Sequence, residues 1–143
     1  MEENLQSSEK IKLDFKESMY ATGRRKTSIA KIWLKKGTGK IFVNGKNFQD
    51  YFTSDTHKMQ ILRPFEIIDQ ATQYDVRCQV VGGGHTGQAG AMVHGISRAL
   101  VKFDENFKTT LRKEKLTTRD SRAVERKKPG RAKARKSYQF SKR

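Results

Sequence analysis

The sequence predicts one mixed α/β domain over residues 20–111, between an acidic N-terminal arm at 1–19 and an extended basic C-terminal tail at 112–143. Three observations predict it. Short stretches rich in β-branched and aromatic residues alternate with segments whose apolar residues recur every three or four positions, the mark of strands mixed with helices. The apolar period stops after about residue 112. The charge is also unevenly placed: residues 1–19 carry a net −2, residues 20–107 a net +6, and residues 108–143, with fifteen Lys and Arg against three acids, a net +12.

Along the chain, the acidic leader has few large apolar residues and no sustained period, and is expected to be a flexible arm. From Ser28 to Leu34, Ile29, Ile32, Trp33 and Leu34 predict a strand. Gly37 and Gly39 bracket a turn, a second strand covers Lys40 to Val43, and the turn dipeptide Asn44-Gly45 follows. Together these read as a β-hairpin. Between Asp55 and Ile68, the residues Met59, Leu62, Phe65 and Ile68 recur about every three, a helical pattern with Asp55 as N-cap. Pro64 removes a backbone donor and disfavours helical geometry at Arg63, which divides the element into two short helices. A further strand covers Tyr74 to Val81, with Val76, Cys78 and Val80 on one face. After three glycines comes the longest helix, about Thr86 to Phe103, with an apolar stripe of Ala89, Met92, Val93, Ile96, Ala99, Leu100 and Phe103. Asp104 caps one more short helix, through Leu111.

Composition narrows the function classes. A formal net charge of +16 destabilises a compact monomer by self-repulsion unless a polyanion neutralises it, and nucleic acid is the usual such partner, ahead of an anionic membrane surface. No apolar stretch is long enough to cross a bilayer as a helix, and the tail lacks the apolar face of a membrane-surface helix. The single cysteine, Cys78, excludes an intrachain disulfide, and His57, His85 and His94 are too scattered for a zinc site, so no metal is expected. The leader has no apolar signal-peptide core, and Glu2, Glu3, Glu9, Asp14 and Glu17 make it more acidic than a transit peptide.

Two motifs and the tail carry chemistry. Gly23-Arg24-Arg25-Lys26-Thr27-Ser28 reads either as a phosphate-binding edge of adjacent cations and hydroxyl donors, or as a solvated strand entry. Gly82-Gly83-Gly84-His85-Thr86-Gly87-Gln88 lies between a strand and a helix, where glycines let backbone amides approach a phosphate at a helix N-terminus. Its spacing also satisfies the dinucleotide fingerprint, with Asp104 about twenty residues on, but no second strand follows the helix, as a βαβ cofactor site requires. A simple tight turn is the plain alternative. His94 is best read as a packed or solvent-facing histidine, and Cys78 as a small core residue. In the tail, Tyr138 and Phe140 interrupt the charge; a merely solvated charge run needs no aromatics, whereas a segment lying on RNA uses them for stacking. Without a partner the tail is expected to be disordered.

These residues resemble a known family, the universally distributed ninth protein of the small ribosomal subunit. The resemblance begins at Tyr20-Ala-Thr-Gly-Arg-Arg-Lys26 and runs through Val43-Asn-Gly45. It is most specific over residues 82–91 and 94–100, and it continues at Arg119-Asp120, Val124-Glu-Arg-Lys-Lys128 and Gln139-Phe-Ser-Lys-Arg143. It implies a four-stranded mixed sheet packed with helices, with a left-handed βαβ crossover like that of the second domain of ribosomal protein S-five. It implies a structural constituent of the small subunit rather than an enzyme, with no cofactor and no small-molecule substrate. The expected partners are the 3′ major (head) domain of small-subunit rRNA, the P-site tRNA and neighbouring head proteins. The ribosome would be in a bacterial cytoplasm, a mitochondrial matrix or a plastid stroma. Candidate rRNA-binding residues are Arg24, Arg25, Lys26, Gly82, Gly83, Gly84 and Gln88 in the domain. In the tail they are Arg122, Arg126, Lys127, Lys128, Arg131, Lys133, Arg135 and Lys136. Ser141, Lys142 and Arg143 would approach the anticodon stem-loop of the tRNA. The chain departs from the family pattern at Val93, where Arg is common, at Pro129, where an aromatic is common, and in a shorter stretch around Lys113 to Thr118.

Overall fold

The computed structural model describes residues 17–142, so the leader up to residue 16 and Arg143 lie outside the described residues. Five strands, β1 (Met19–Arg25), β2 (Ser28–Lys36), β3 (Ile41–Val43), β4 (Lys46–Asn47) and β5 (Tyr74–Val81), form one sheet in the order β1-β2-β5-β3-β4. Four helices accompany it: α1 (Phe48–Tyr51), α2 (Asp55–Ile67), α3 (His85–Phe103) and α4 (Phe107–Lys113). The sheet is mixed, as expected, with β3 parallel to β5 and the other neighbours antiparallel; its fifth strand, β4, is two residues long.

Strict alternation in β2 and β5 sends Ser28, Ala30, Ile32 and Leu34, and Tyr74, Val76, Cys78 and Val80, into the core. That face is covered by α3 and α2, and among the described residues no helix covers the opposite face. The sequence did not reveal β1: its core face is only Ala21 and Gly23, and its cations look like a loop. It pairs with β2 through the tight turn Lys26-Thr27, where Lys26 takes a φ of 52°.

The hairpin reading needs a correction. Asn44-Gly45 closes a hairpin between β3 and β4, but β2 and β3 are not partners, because β5 lies between them. The Gly37–Gly39 segment is a connection stitched across to β5: Asp75 Oδ1 accepts the backbone N–H of Thr38 at 2.8 Å and of Lys40 at 2.9 Å. Alternation says that a segment is a strand, but not which strand lies beside it.

The parallel step from β3 to β5 passes through α1 and α2. Helix α2 is continuous through Pro64, against the expectation of two short helices. Proline costs a helix one hydrogen bond and some strain, but here Ile61, Pro64 and Phe65 are buried together, and their burial offsets it. The N-cap position is Ser54 rather than Asp55. Helix α3 buries Ala89, Met92, Ile96, Ala99 and Leu100 of the expected stripe, while Val93 and Phe103 lie at its margin. The last helix starts after Asn106; Asp104 accepts the Asn106 N–H at 2.9 Å and shapes the turn before it. Residues 117–142 contain neither helix nor strand.

Candidate RNA interface

Helix α3 lies along the edge strand β1 at a separation that only small residues permit. A Cβ on Gly23 would sit 1.9 Å from the Ala91 carbonyl oxygen, and one on Gly95 would sit 2.6 Å from Ile32 Cγ1. This closeness seals the edge. The outward backbone groups of β1 belong to residues 20, 22 and 24, and each meets one side chain of α3. Lys102 Nζ donates to the Tyr20 carbonyl at 2.9 Å, Arg98 Nη1 donates to that of Thr22 at 2.6 Å, and His94 Nδ1 accepts the Arg24 N–H at 3.3 Å. Residues 94, 98 and 102 are one turn apart, so a single helix face covers an edge that would otherwise template another strand and bonds one outward backbone group on each of these three residues. His94 therefore packs, one of the two readings the sequence left open, and burial is the main reason its proton affinity is lowered. Arg98 and Arg119 push the same way, against a hydrogen bond with the Thr117 backbone.

The glycine turn between β5 and α3 is built to admit β2. Gly82 and Gly83 have φ of 75° and 61°, a conformation glycine adopts without strain. A Cβ at Gly82 would meet the Thr27 carbonyl at 2.7 Å, and one at Gly83 would meet Ser28 Oγ at 2.1 Å. Gly84 differs: nothing lies within 4 Å of its Cβ position, and it is the N-cap of α3. Ser28 Oγ and Gln88 Nε2 both donate to the Gly82 carbonyl, at 3.1 Å each, and Gln88 Oε1 accepts from Tyr51 Oη at 2.8 Å. Gln88 is thus a strut of the turn, and Gly84 with the first amides of α3 is its solvent-facing part. The fingerprint spacing does not make a dinucleotide site here, since α4 follows α3 and Asp104 is held in a turn.

The cations of the β1–β2 turn gather others that sequence reading missed. Arg24 and Arg25 line a groove of about 210 Å³ together with Arg63 of α2 and Lys115 beyond α4; Val93, His94 and Asp120 are also in its wall. Arg63 and Lys115 lie 52 residues apart in sequence and no run marks them, so only the fold brings them to Arg25. Arg25 extends across Gly90, where a Cβ would meet its Cδ at 2.3 Å, to reach Asp120 at 3.6 Å. Asp120 also accepts from Arg122 at 2.8 Å. That pairing, with the Arg122 N–H and then Arg25, holds its carboxyl well below the usual carboxylate range. The tail thus leaves the domain beside the groove.

Beyond that point the candidate tail residues separate into two sets. Glu125 pairs with Lys128 and, at 3.1 Å, with Arg135, while Arg131 donates to the Arg135 carbonyl at 2.9 Å and to Ser137 Oγ at 3.0 Å. For Arg126, Lys127, Lys133 and Lys136, no carboxylate lies within ion-pair range among the described residues. Tyr138 and Phe140 are 64% and 84% exposed, too open for packing to explain them. Ser141 and Lys142 are exposed at the end of the described chain.

Comparison with known proteins follows the same residues. Residues 23–143 match the family model described as Ribosomal protein S9/S16. The chain is 55% identical over 132 residues to the small ribosomal subunit protein uS9 of Rickettsia canadensis, covering 92% of this chain and 82% of that one. It is 55% identical over 134 residues to the proteins of the same name from Rickettsia felis and Rickettsia typhi, covering 94% of this chain and 83% of each of theirs.

Proposed function

The chain belongs to the ribosomal protein S9/S16 family, and from that premise we propose that it anchors in the head of the small subunit and extends its tail to the P-site tRNA. As a member of the family it is a structural constituent of the small ribosomal subunit, an rRNA-binding ribonucleoprotein component of translation and not an enzyme. The finer reading is the site. The folded domain docks on the 3′ major domain of the rRNA, among neighbouring head proteins, and the tail follows RNA toward the anticodon stem-loop. The ribosome is that of a bacterial cytoplasm, the setting of its rickettsial relatives.

One observation carries this reading: a segment with a net charge of +12 over residues 108–143 leaves the domain beside a cationic groove and forms neither helix nor strand from residue 117 to 142. Such a segment buries too little apolar surface to fold by itself. Ordering on a polyanion offsets its conformational entropy and releases counterions. Arg24, Arg25, Lys26, Gly84 and the tail cations contact phosphates, while Gly82, Gly83 and Gln88 shape the turn that presents Gly84. Ser141, Lys142 and Arg143 are the tRNA-facing end. Deleting those three residues is expected to leave subunit assembly intact and to weaken tRNA binding at the peptidyl site, measured by filter binding to purified subunits. Unchanged tRNA affinity in subunits that contain the truncated protein would overturn the assignment.

A further inference from the structure

The helices cover one side of the sheet, and the residues on its other side form an ordered array. One rung crosses four strands: Tyr20 of β1 is the register partner of Trp33 of β2, Trp33 of Arg77 of β5, and Arg77 of Phe42 of β3. The Tyr20 and Trp33 rings are 5.3 Å apart and tilted by 49°, and the Arg77 guanidinium sits 5.7 Å from the Trp33 ring centre. The rung on one side is Thr22, Lys31 and Gln79, and the rung on the other contains Lys35 and Asp75. Tyr20 is 42% exposed, and Lys31, Arg77 and Gln79 are exposed as well. Asp75, the acid among these rungs, is turned to the backbone amides of Thr38 and Lys40.

We propose that this uncovered sheet face is a second RNA-binding surface, distinct from the groove and the tail, on which an unpaired stretch of rRNA lies with bases against the Tyr20–Trp33 rung and phosphates at Lys31, Lys35 and Arg77. This rests on the rRNA-binding reading above. Charge chooses the occupant: three cations face outward while the neighbouring carboxylate is engaged by backbone donors, so the surface suits a polyanion. The aromatic rung suits a polyanion that carries planar groups, since bases stack on aromatic rings and guanidinium planes with little sequence preference. Duplex RNA would not use such a rung, because its bases are already stacked. A cross-strand rung that served only to stiffen the sheet would not call for cations on both sides of it.

Trp33 is the sole tryptophan of the chain, so its emission reports this face directly. The full-length protein is titrated with a transcript of the 3′ major domain of small-subunit rRNA, with binding followed independently by anisotropy of labelled RNA. Saturable quenching of Trp33 that tracks occupancy is expected. The Lys31→Glu/Gln79→Glu variant should raise Kd roughly tenfold, about the cost of one to two phosphate contacts. Intact binding with unchanged Trp33 emission overturns the proposal and leaves the groove and tail as the interface. Absence of any binding overturns the rRNA reading along with it. A second arm places benzoylphenylalanine at Gln79 in assembled subunits. A crosslink to rRNA is expected, and a crosslink to a neighbouring protein would overturn the assignment.

Discussion

His94 shows how one residue joins the fold to the interface. It accepts a hydrogen bond from the Arg24 backbone and touches the backbone of Thr117, so it fixes both the edge strand and the start of the tail beside the cationic groove. Burial, and then the nearby charges of Arg98 and Arg119, lower its proton affinity below the ordinary value and favour the neutral ring, which accepts at Nδ1. In the unfolded chain it titrates near about 6.5. Between the two values the unfolded chain binds more protons, so the contribution is complete above the unfolded value and is lost as pH falls toward the folded one. Thermal unfolding should therefore show a stability that declines below about pH 6.5 and a shallower decline in His94→Ala; equal slopes in the two proteins would count against this. Val93 lines the same groove, so an arginine there would add a cation where Arg24, Arg25 and Arg63 already meet.

At the scale of elements, α3 does two jobs that its sequence shows in different degrees. Its apolar stripe is plain in the spacing of Ala89, Met92, Ile96, Ala99 and Leu100. Its second face, His94, Arg98 and Lys102, shows no such pattern in sequence, yet it bonds one outward backbone group on each of Tyr20, Thr22 and Arg24 of β1. Arg98→Ala should lower unfolding stability by about 1 kcal/mol, the net worth of one hydrogen bond to a partly exposed carbonyl, and should speed amide exchange along β1. Urea unfolding checks the first and hydrogen-exchange mass spectrometry the second. Lys108→Ala, on the exposed side of α4, is the control and should change neither. The same packing accounts for β1 being invisible in sequence: a strand whose buried positions are Ala21 and Gly23 has no apolar alternation, because its partner helix comes too close for larger side chains.

Over the whole molecule, charge is separated by structure as well as by sequence. The domain contributes a modest excess of cations, which the fold collects into a groove and an open sheet face. The tail contributes most of the rest with little core to bury. Truncation after Ala123 removes nine cations and one acid, and should reduce the slope of log affinity against log salt for head-domain RNA by several units while the domain unfolds at an unchanged temperature. A slope that stays the same would mean that the tail makes few phosphate contacts in that complex. A lowered melting temperature would mean that the Asp120 contacts are not enough to isolate the tail from the fold.

By itself, the sequence determined the fold class, the long helix, the core face of β5, the charge separation and the family, because each is written in local composition or in the spacing of neighbouring residues. Residue types at period two or near three and a half declare which face is buried, whatever it is buried against. Only the tertiary structure decided that β5 separates β2 from β3, that α2 runs through Pro64, and that Gly82 and Gly83 admit β2 while Gly84 faces solvent. It alone brought Arg63 and Lys115 to Arg25, and aligned Tyr20, Trp33, Arg77 and Phe42 across the sheet. These are relations between segments distant in the chain. They are set by how whole surfaces pack, and no local pattern encodes which surface a given face will meet.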